Sequence, residues 1–184
     1  HVLRRRQRQM CIRDRAWPTA SDTYGGRIIG TIGSDIRAGI DYEHNTKDAE
    51  QNMVMNGMNV FMTYLWPGVE TEKLGLFFEK DLNNVSYGLR YDQVELDPTR
   101  AADDPGSGMM QRTANEVYTA DYEGTIVATK RDFDNISGFL RLKKDYNHGE
   151  SYINFSINER APDANELFHA KNNSTAMMRH VGNP

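Results

Sequence analysis

The chain has almost no cysteine. Of 184 residues only Cys11 is one, so neither an intrachain disulfide nor a cysteine zinc cluster can form. Long apolar runs are missing too. Mean hydropathy is −0.72, and no stretch approaches the roughly 18 apolar residues of a membrane helix. A membrane β-barrel remains open, because its strands show only alternating hydrophobicity. The length suits one domain.

Basic residues are also scarce once the beginning of the chain is set apart. Residues 1–15, "HVLRRRQRQMCIRDR", hold six arginines, one acid and the lone cysteine. "MCIRD" is the in-frame translation of a transposon end used in sequencing libraries (ATG TGT ATA AGA GAC AG). The segment therefore reads as non-native and is kept out of fold reasoning. The other reading is a basic arm for nucleic acid or an anionic surface. Without it, 16 basic and 25 acidic residues remain, a formal net charge of −9. That balance argues against nucleic acid as a partner and is compatible with attracting cations. The absence of cysteine from residues 16–184 hints at a non-cytosolic protein.

What is present is a period of two. In "DIRAGIDYEH", Ile36, Ala38, Ile40 and Tyr42 oppose Arg37, Gly39, Asp41 and Glu43. In "NVSYGLRYDQ", Val85, Tyr87, Leu89 and Tyr91 oppose Ser86, Gly88, Arg90 and Asp92. In "SYINFSINE", Ile153, Phe155 and Ile157 oppose Asn154, Ser156 and Asn158. Such alternation predicts strands with two unlike faces. Six are expected, over 22–33, 35–45, 71–81, 84–97, 134–146 and 149–159. The connections alternate in length. Those at Gly33-Ser34, Leu82-Asn83 and Asn147-His148 are short, while 46–70, 98–133 and the stretch from 160 onward are long.

That rhythm is expected of an outer-membrane barrel, with short periplasmic turns and long extracellular loops. Each strand reaches the roughly 9–11 residues that cross a bilayer with tilt. Tyr42 and Tyr91, near strand ends, suit an interfacial aromatic girdle, and His44 ends a strand near the outer rim. Six strands cannot close, since the smallest bacterial barrels have eight and open edges are not tolerated in hydrocarbon. The expectation is an all-β fold: a partial transmembrane antiparallel β-barrel, about six strands of a larger one.

Local chemistry places two short helices in the long connections. "TANEVYTADYE" at 113–123 reads as one. In the closing stretch, Pro162 ends a strand ladder because it has no N–H. Asp163 with Glu166 then makes a capping-box start for "DANELF", and Arg160 is placed to pair with Glu166.

These motifs resemble a known family. "TYGGRIIG", "IRAGIDYEHN", "WPGVETEKLGLFFE", "VSYGLRYDQVELD", "NISGFLRL", "NERAPDANELF" and "RHVGNP" are similar, in order over residues 21–184, to TonB-dependent outer-membrane receptors. The most specific part is Arg160-Ala161-Pro162 with Glu166-Leu167, followed by Gly182-Asn183-Pro184. Details such as Trp66-Pro67 look closest to the copper-receptor branch. The resemblance implies that residues 16–184 are barrel, with the plug domain and its TonB-contacting segment absent. It also implies a receptor in the outer membrane of a Gram-negative bacterium. Such a receptor takes up a metal or metal complex, energised by the TonB complex acting through the plug.

Outside the first fifteen residues there are eight methionines: Met53, Met55, Met58, Met62, Met109, Met110, Met177 and Met178. All fall in the three long connections as expected above. Thioether sulfur suits Cu(I), and imidazole is a common copper ligand. The candidate metal ligands are Met53, Met55, Met58 and Met62, then Met177, Met178 and His180, with His169 upstream. The bland reading is that these methionines fill a small loop core. Copper here would be transported cargo and not a cofactor. No nucleophile elbow, HExxH or distinctive acid pair is present, so an enzyme is not expected. A siderophore or other chelate is the alternative ligand. A soluble secreted β-sandwich is the alternative fold class, and a sugar-active enzyme would need two lumen carboxylates at catalytic separation.

Overall fold

The computed structural model describes residues 18–108, 110–122, 124–172 and 181–184. The basic segment 1–15, Met109, Met177, Met178 and His180 lie outside the described residues. Six strands and two short helices follow along the chain. They are β1 (Thr19–Ile32), β2 (Ile36–Met55), β3 (Met58–Leu82), β4 (Val85–Pro98), α1 (Ala114–Asp121), β5 (Arg131–Tyr146), β6 (Gly149–Ile157) and α2 (Ala164–Phe168). The fold is all-β. The strands form one open antiparallel sheet in sequence order, so every strand pairs only with strands adjacent in the chain.

One expected loop is not a loop. The stretch 46–70 continues β2 and β3 into a long hairpin whose pairing runs up to Met55↔Met58. Its turn is Asn56-Gly57, with φ of 51° and 79°. Two positive φ values in a row make the type I′ turn that Asn-Gly favours, and its twist matches the flanking strands. Register shifts between Lys47 and Ala49, Ala49 and Glu50, and Gln51 and Asn52 break the strict alternation there. Met53, Met55, Met58 and Met62 are therefore strand residues, contrary to expectation. For the same reason Tyr42 and His44 lie inside β2. Tyr91 lies inside β4, not near its end.

The pairing register decides what each face carries. Ile28↔Ile40, Ile40↔Leu76, Leu76↔Tyr91 and Tyr91↔Ile136 are directly paired. Directly paired residues share a face, so these five side chains form one row across β1 to β5. All five are exposed, from 39% at Ile40 to 73% at Ile28. Further rows on that face carry Phe78, Leu89 and Ile157, then Lys80, Tyr87, Leu140 and Phe155, then Leu82, Leu142 and Ile153. One residue along each strand the face is polar. There Arg27↔Asp41, Asp41↔Gly75, Gly75↔Asp92 and Asp92↔Asn135 pair. Asp92 and Asn135 are each only 7% exposed. The usual relation is inverted: acids and amides are covered, and isoleucine and leucine are open.

At one end of the sheet the long connections make a core of their own. Val69, Val94 and Leu96 pack with Ala164, Leu167 and Phe168. Beside them Ala101, Ala114, Val117, Tyr118 and Ala170 form a second cluster. Helix α1 contributes Ala114, Val117 and Tyr118, the i, i+3, i+4 stripe of an amphipathic helix. Thr113 and Glu116 close a capping box at its start, which satisfies two orphan N–H groups. The Tyr118 hydroxyl donates to the Phe168 carbonyl at 2.8 Å, and burial pushes its pKa up. Ala170 donates to the Leu65 carbonyl at 2.8 Å, and Gly182 to the His169 carbonyl at 2.8 Å. A Cβ on Gly182 would run into the Leu167 carbonyl, so this close backbone approach requires glycine. No helix among the described residues is long and apolar enough to cross a membrane, a statement that does not concern strands.

Phe168 is fully buried where the two clusters meet the hairpin. Phe168→Ala is expected to destabilise this cap by about 3–5 kcal/mol. Limited proteolysis of the full-length protein should then cut within 98–130 faster, while the β-turns at the other end of the sheet stay protected.

Candidate functional site

The hairpin tip brings thioethers together through simple strand geometry. Met53 pairs with Val60 and Met55 with Met58. Residues two apart on a strand, and residues directly paired, point the same way. Met53, Met55 and Met58 therefore share one face of the tip. Met58 is 66% exposed and Met55 40% exposed, while Met53 is half-buried. Met62 differs. It is 2% exposed and packs inside the cap, the ordinary use of methionine as a filler of irregular space. His169 caps the C-terminus of α2, with its ring 6.2 Å from that of Trp66. Among the described residues no group of three or more His, Cys, Asp or Glu side chains is arranged to hold a metal ion. That does not bear on thioether sulfur.

Below the cap, the polar face holds a charge ladder that sequence reasoning did not assemble. Arg90 spans two strands. Its Nη1 and Nη2 each reach Asp41 at 2.9 Å, and its Nε reaches Asp92 at 2.7 Å. Arg27 adds a 3.3 Å contact to Asp41, and Lys73 stands 3.6 Å from Asp92. Two carboxylates and three cations thus interlock on a half-covered surface, with bidentate geometry at Arg90. Gly75 makes this possible. A Cβ there would collide with the Arg90 guanidinium and both carboxylates. Nearby, the Phe77 ring lies over Gly39, and the Phe139 ring over Gly88. Each ring covers a glycine directly across the ladder, shielding backbone that would otherwise be bare.

Between this face and the cap lies a groove of about 290 Å³, lined by Lys47, Lys73, Asp92 and Asn135 below and by Glu159 to Ala164 above. Its roof is the stretch "ERAPDA". Arg160 forms a two-pronged pair with Glu166, both N···O distances 2.7 Å. Glu166 also accepts from the Asp163 N–H at 2.9 Å, and Asp163 accepts from Asn165 and Glu166 N–H groups at 2.7 and 2.9 Å. Pro162 enters this turn with no N–H to leave unsatisfied. The expected Arg160–Glu166 pair and the capping box are both formed. The Arg160 guanidinium, and then the Asp163 N–H, hold the Glu166 carboxyl down at about 2, against the ordinary 4.5.

A third feature ties the connections to each other. Arg100 stacks on Tyr64 at 3.9 Å and pairs with Asp48 and Asp103. Gln51 exchanges two hydrogen bonds with the backbone of Asn172. Neither arrangement leaves a local mark in the sequence.

No family model, no curated protein and no solved structure matches the chain.

The depressed Glu166 pKa fixes the sign of an acid effect. A carboxyl with a lowered folded-state pKa adds stability that is fully present above its ordinary value. That stability is lost as pH falls through the folded one. The start of α2 should loosen between about pH 4.5 and pH 2, seen as faster amide exchange at Asn165 and Glu166. Glu166→Gln should remove the pH dependence in that window.

Proposed function

We propose that the chain is wall and extracellular loops of an outer-membrane β-barrel receptor of the TonB-dependent kind. It would import a metal or metal complex, with copper favoured. The observation that carries the membrane reading is the inverted alternation. Five strands expose Ile28, Ile40, Leu76, Tyr91 and Ile136 in one row, while the charged ladder of Asp41, Arg90 and Asp92 occupies the opposite face. A face this apolar is unfavourable in water and favourable in hydrocarbon. From Leu82 to Leu74 on β3 the band runs about 27 Å along the strand, at roughly 3.4 Å per residue, with Lys80 as its one charged position on that strand. Tilted by about 40°, that spans roughly 20 Å, near the height of a barrel's lipid-facing band.

The rim of the band supports the same reading. Tyr42 donates to Glu72 at 3.3 Å, and Tyr91 to Asp134 at 2.5 Å. Tyr24 stacks on His44 at 4.7 Å. The Tyr42 and Tyr91 rings have their apolar bodies on the band and their hydroxyls on carboxylates, the arrangement of an interfacial aromatic belt. The cap stands at this end, as extracellular loops would.

Copper is favoured by the three clustered thioethers at the hairpin tip, since soft sulfur selects Cu(I). A chelate is the second reading. It is supported by a hollow of about 250 Å³ lined by Arg27, Arg37, Phe77, Glu79, Arg90 and Phe139, where Glu79 pairs with Arg37 at 2.8 Å and the guanidinium and phenyl groups suit an aromatic chelate with anionic groups. The plug, which the family couples to TonB, would lie against the polar face.

Two experiments on the full-length protein test this. Leu89 is 63% exposed, near the middle of the band. Leu89→Arg should cost about 2–4 kcal/mol in unfolding from phospholipid vesicles. A protein that stays dispersed without detergent and ignores this change would overturn the membrane reading. Replacing Met53, Met55 and Met58 together by serine should weaken Cu(I) binding at least tenfold. Unchanged Cu(I) affinity would leave only the chelate reading.

A further inference from the structure

Gln51 is a long polar side chain that is 2% exposed. A buried amide is costly unless its donors and acceptor are bonded. Here Nε2 donates to the Asn172 carbonyl at 2.8 Å, and Oε1 accepts from the Asn172 N–H at 2.8 Å. The side chain therefore does for one residue of the third connection what a neighbouring strand would do. Asn172 turns its own amide the other way and donates from Nδ2 to the Met110 carbonyl at 2.9 Å, in the second connection. The second connection also reaches the hairpin directly. The Arg112 N–H donates to the Met62 carbonyl at 3.0 Å, and Gln111 Nε2 to the Phe61 carbonyl at 2.7 Å.

We propose that Gln51 and Asn172 are positioning residues for the thioether site. Their junction fixes the β2 strand that bears Met53 and Met55 against the connection that bears Met110. On this proposal the Met110 sulfur joins those of Met53 and Met55 as ligands for one soft cation. The proposal rests on the copper reading above, and neither residue contacts the metal. Met53 is two residues from Gln51 along β2, and the Met110 carbonyl is itself a member of the junction, so a shift at either bond moves a sulfur-bearing backbone. Ligands held in place before the ion arrives bind more tightly, because little ordering remains to be done on binding.

The test uses the full-length receptor, with Ag(I) as a redox-inert probe of thioether sites and X-ray absorption to count sulfur neighbours per silver. Asn172→Ala cuts only the link to Met110 and spares the backbone pair with Gln51. Gln51→Glu keeps the acceptor and loses the donor. Each should weaken Ag(I) binding about tenfold, the scale of one buried hydrogen bond left unmade. Each should also lower the sulfur count, with every methionine still present. If Met53→Ser weakens binding while Asn172→Ala and Gln51→Glu change neither affinity nor sulfur count, the positioning role is overturned and the copper reading stands. If the unaltered protein does not bind Ag(I), both are overturned.

Discussion

A strand ladder leaves each side chain only two directions, and the hydrogen-bond register fixes which one for every residue at once. The whole chain depends on that constraint. Because Ile40 faces Leu76, and Leu76 faces Tyr91, an apolar row is continuous across the sheet. Because Asp41 and Asp92 fall on the alternate positions, Arg90 can reach both through the gap at Gly75. A slip of one residue in any pair would put isoleucine among the carboxylates and arginine among the isoleucines. The ion pairs thus act as a register lock. Their net contribution to stability is modest where water reaches them, but the wrong register would leave charges unpaired on an apolar face.

How much of this is legible in the sequence follows from how local each cause is. The alternation in "DIRAGIDYEH" and "NVSYGLRYDQ" gives the strands and their faces, since period two needs only one strand to be seen. Capping is equally local. Thr113 with Glu116 and Asp163 with Glu166 are three residues apart, and both boxes form. The upper hairpin is less legible. Asn56-Gly57 carries a hairpin signal, but the bulges around Ala49 and Gln51 break the pattern beneath it. The segment from Met62 to Leu65 is buried throughout, so no alternation shows there. Met53, Met55, Met58 and Met62 consequently read as loop residues when they are strand residues. The charge ladder and the Gln51–Asn172 junction join residues 49 and 121 apart. No short-range pattern encodes such pairs; they follow from register and docking.

The cap raises a different physical question, because long connections usually carry little core. Here Phe168, Tyr118 and Leu96 are fully buried; backbone bonds join the upper hairpin to both other connections, and side-chain donors join those two to each other. The conformational entropy of these connections is offset during folding by apolar burial. The hairpin tip stands apart from that balance, since Val54, Met55 and Met58 remain exposed on strands held firmly at their base. On the copper reading proposed above, a fixed base with an open apolar tip would serve as a capture site for a soft ion. The sulfurs are reachable, and their spacing is set by a β-ladder instead of by the ion. Cation attraction would come from the rest of the molecule, through the acidic excess of residues 16–184 acting over a Debye length of about 8–10 Å. On this view affinity and capture are separate properties, the first set by thioethers on a fixed strand pair and the second by surface charge.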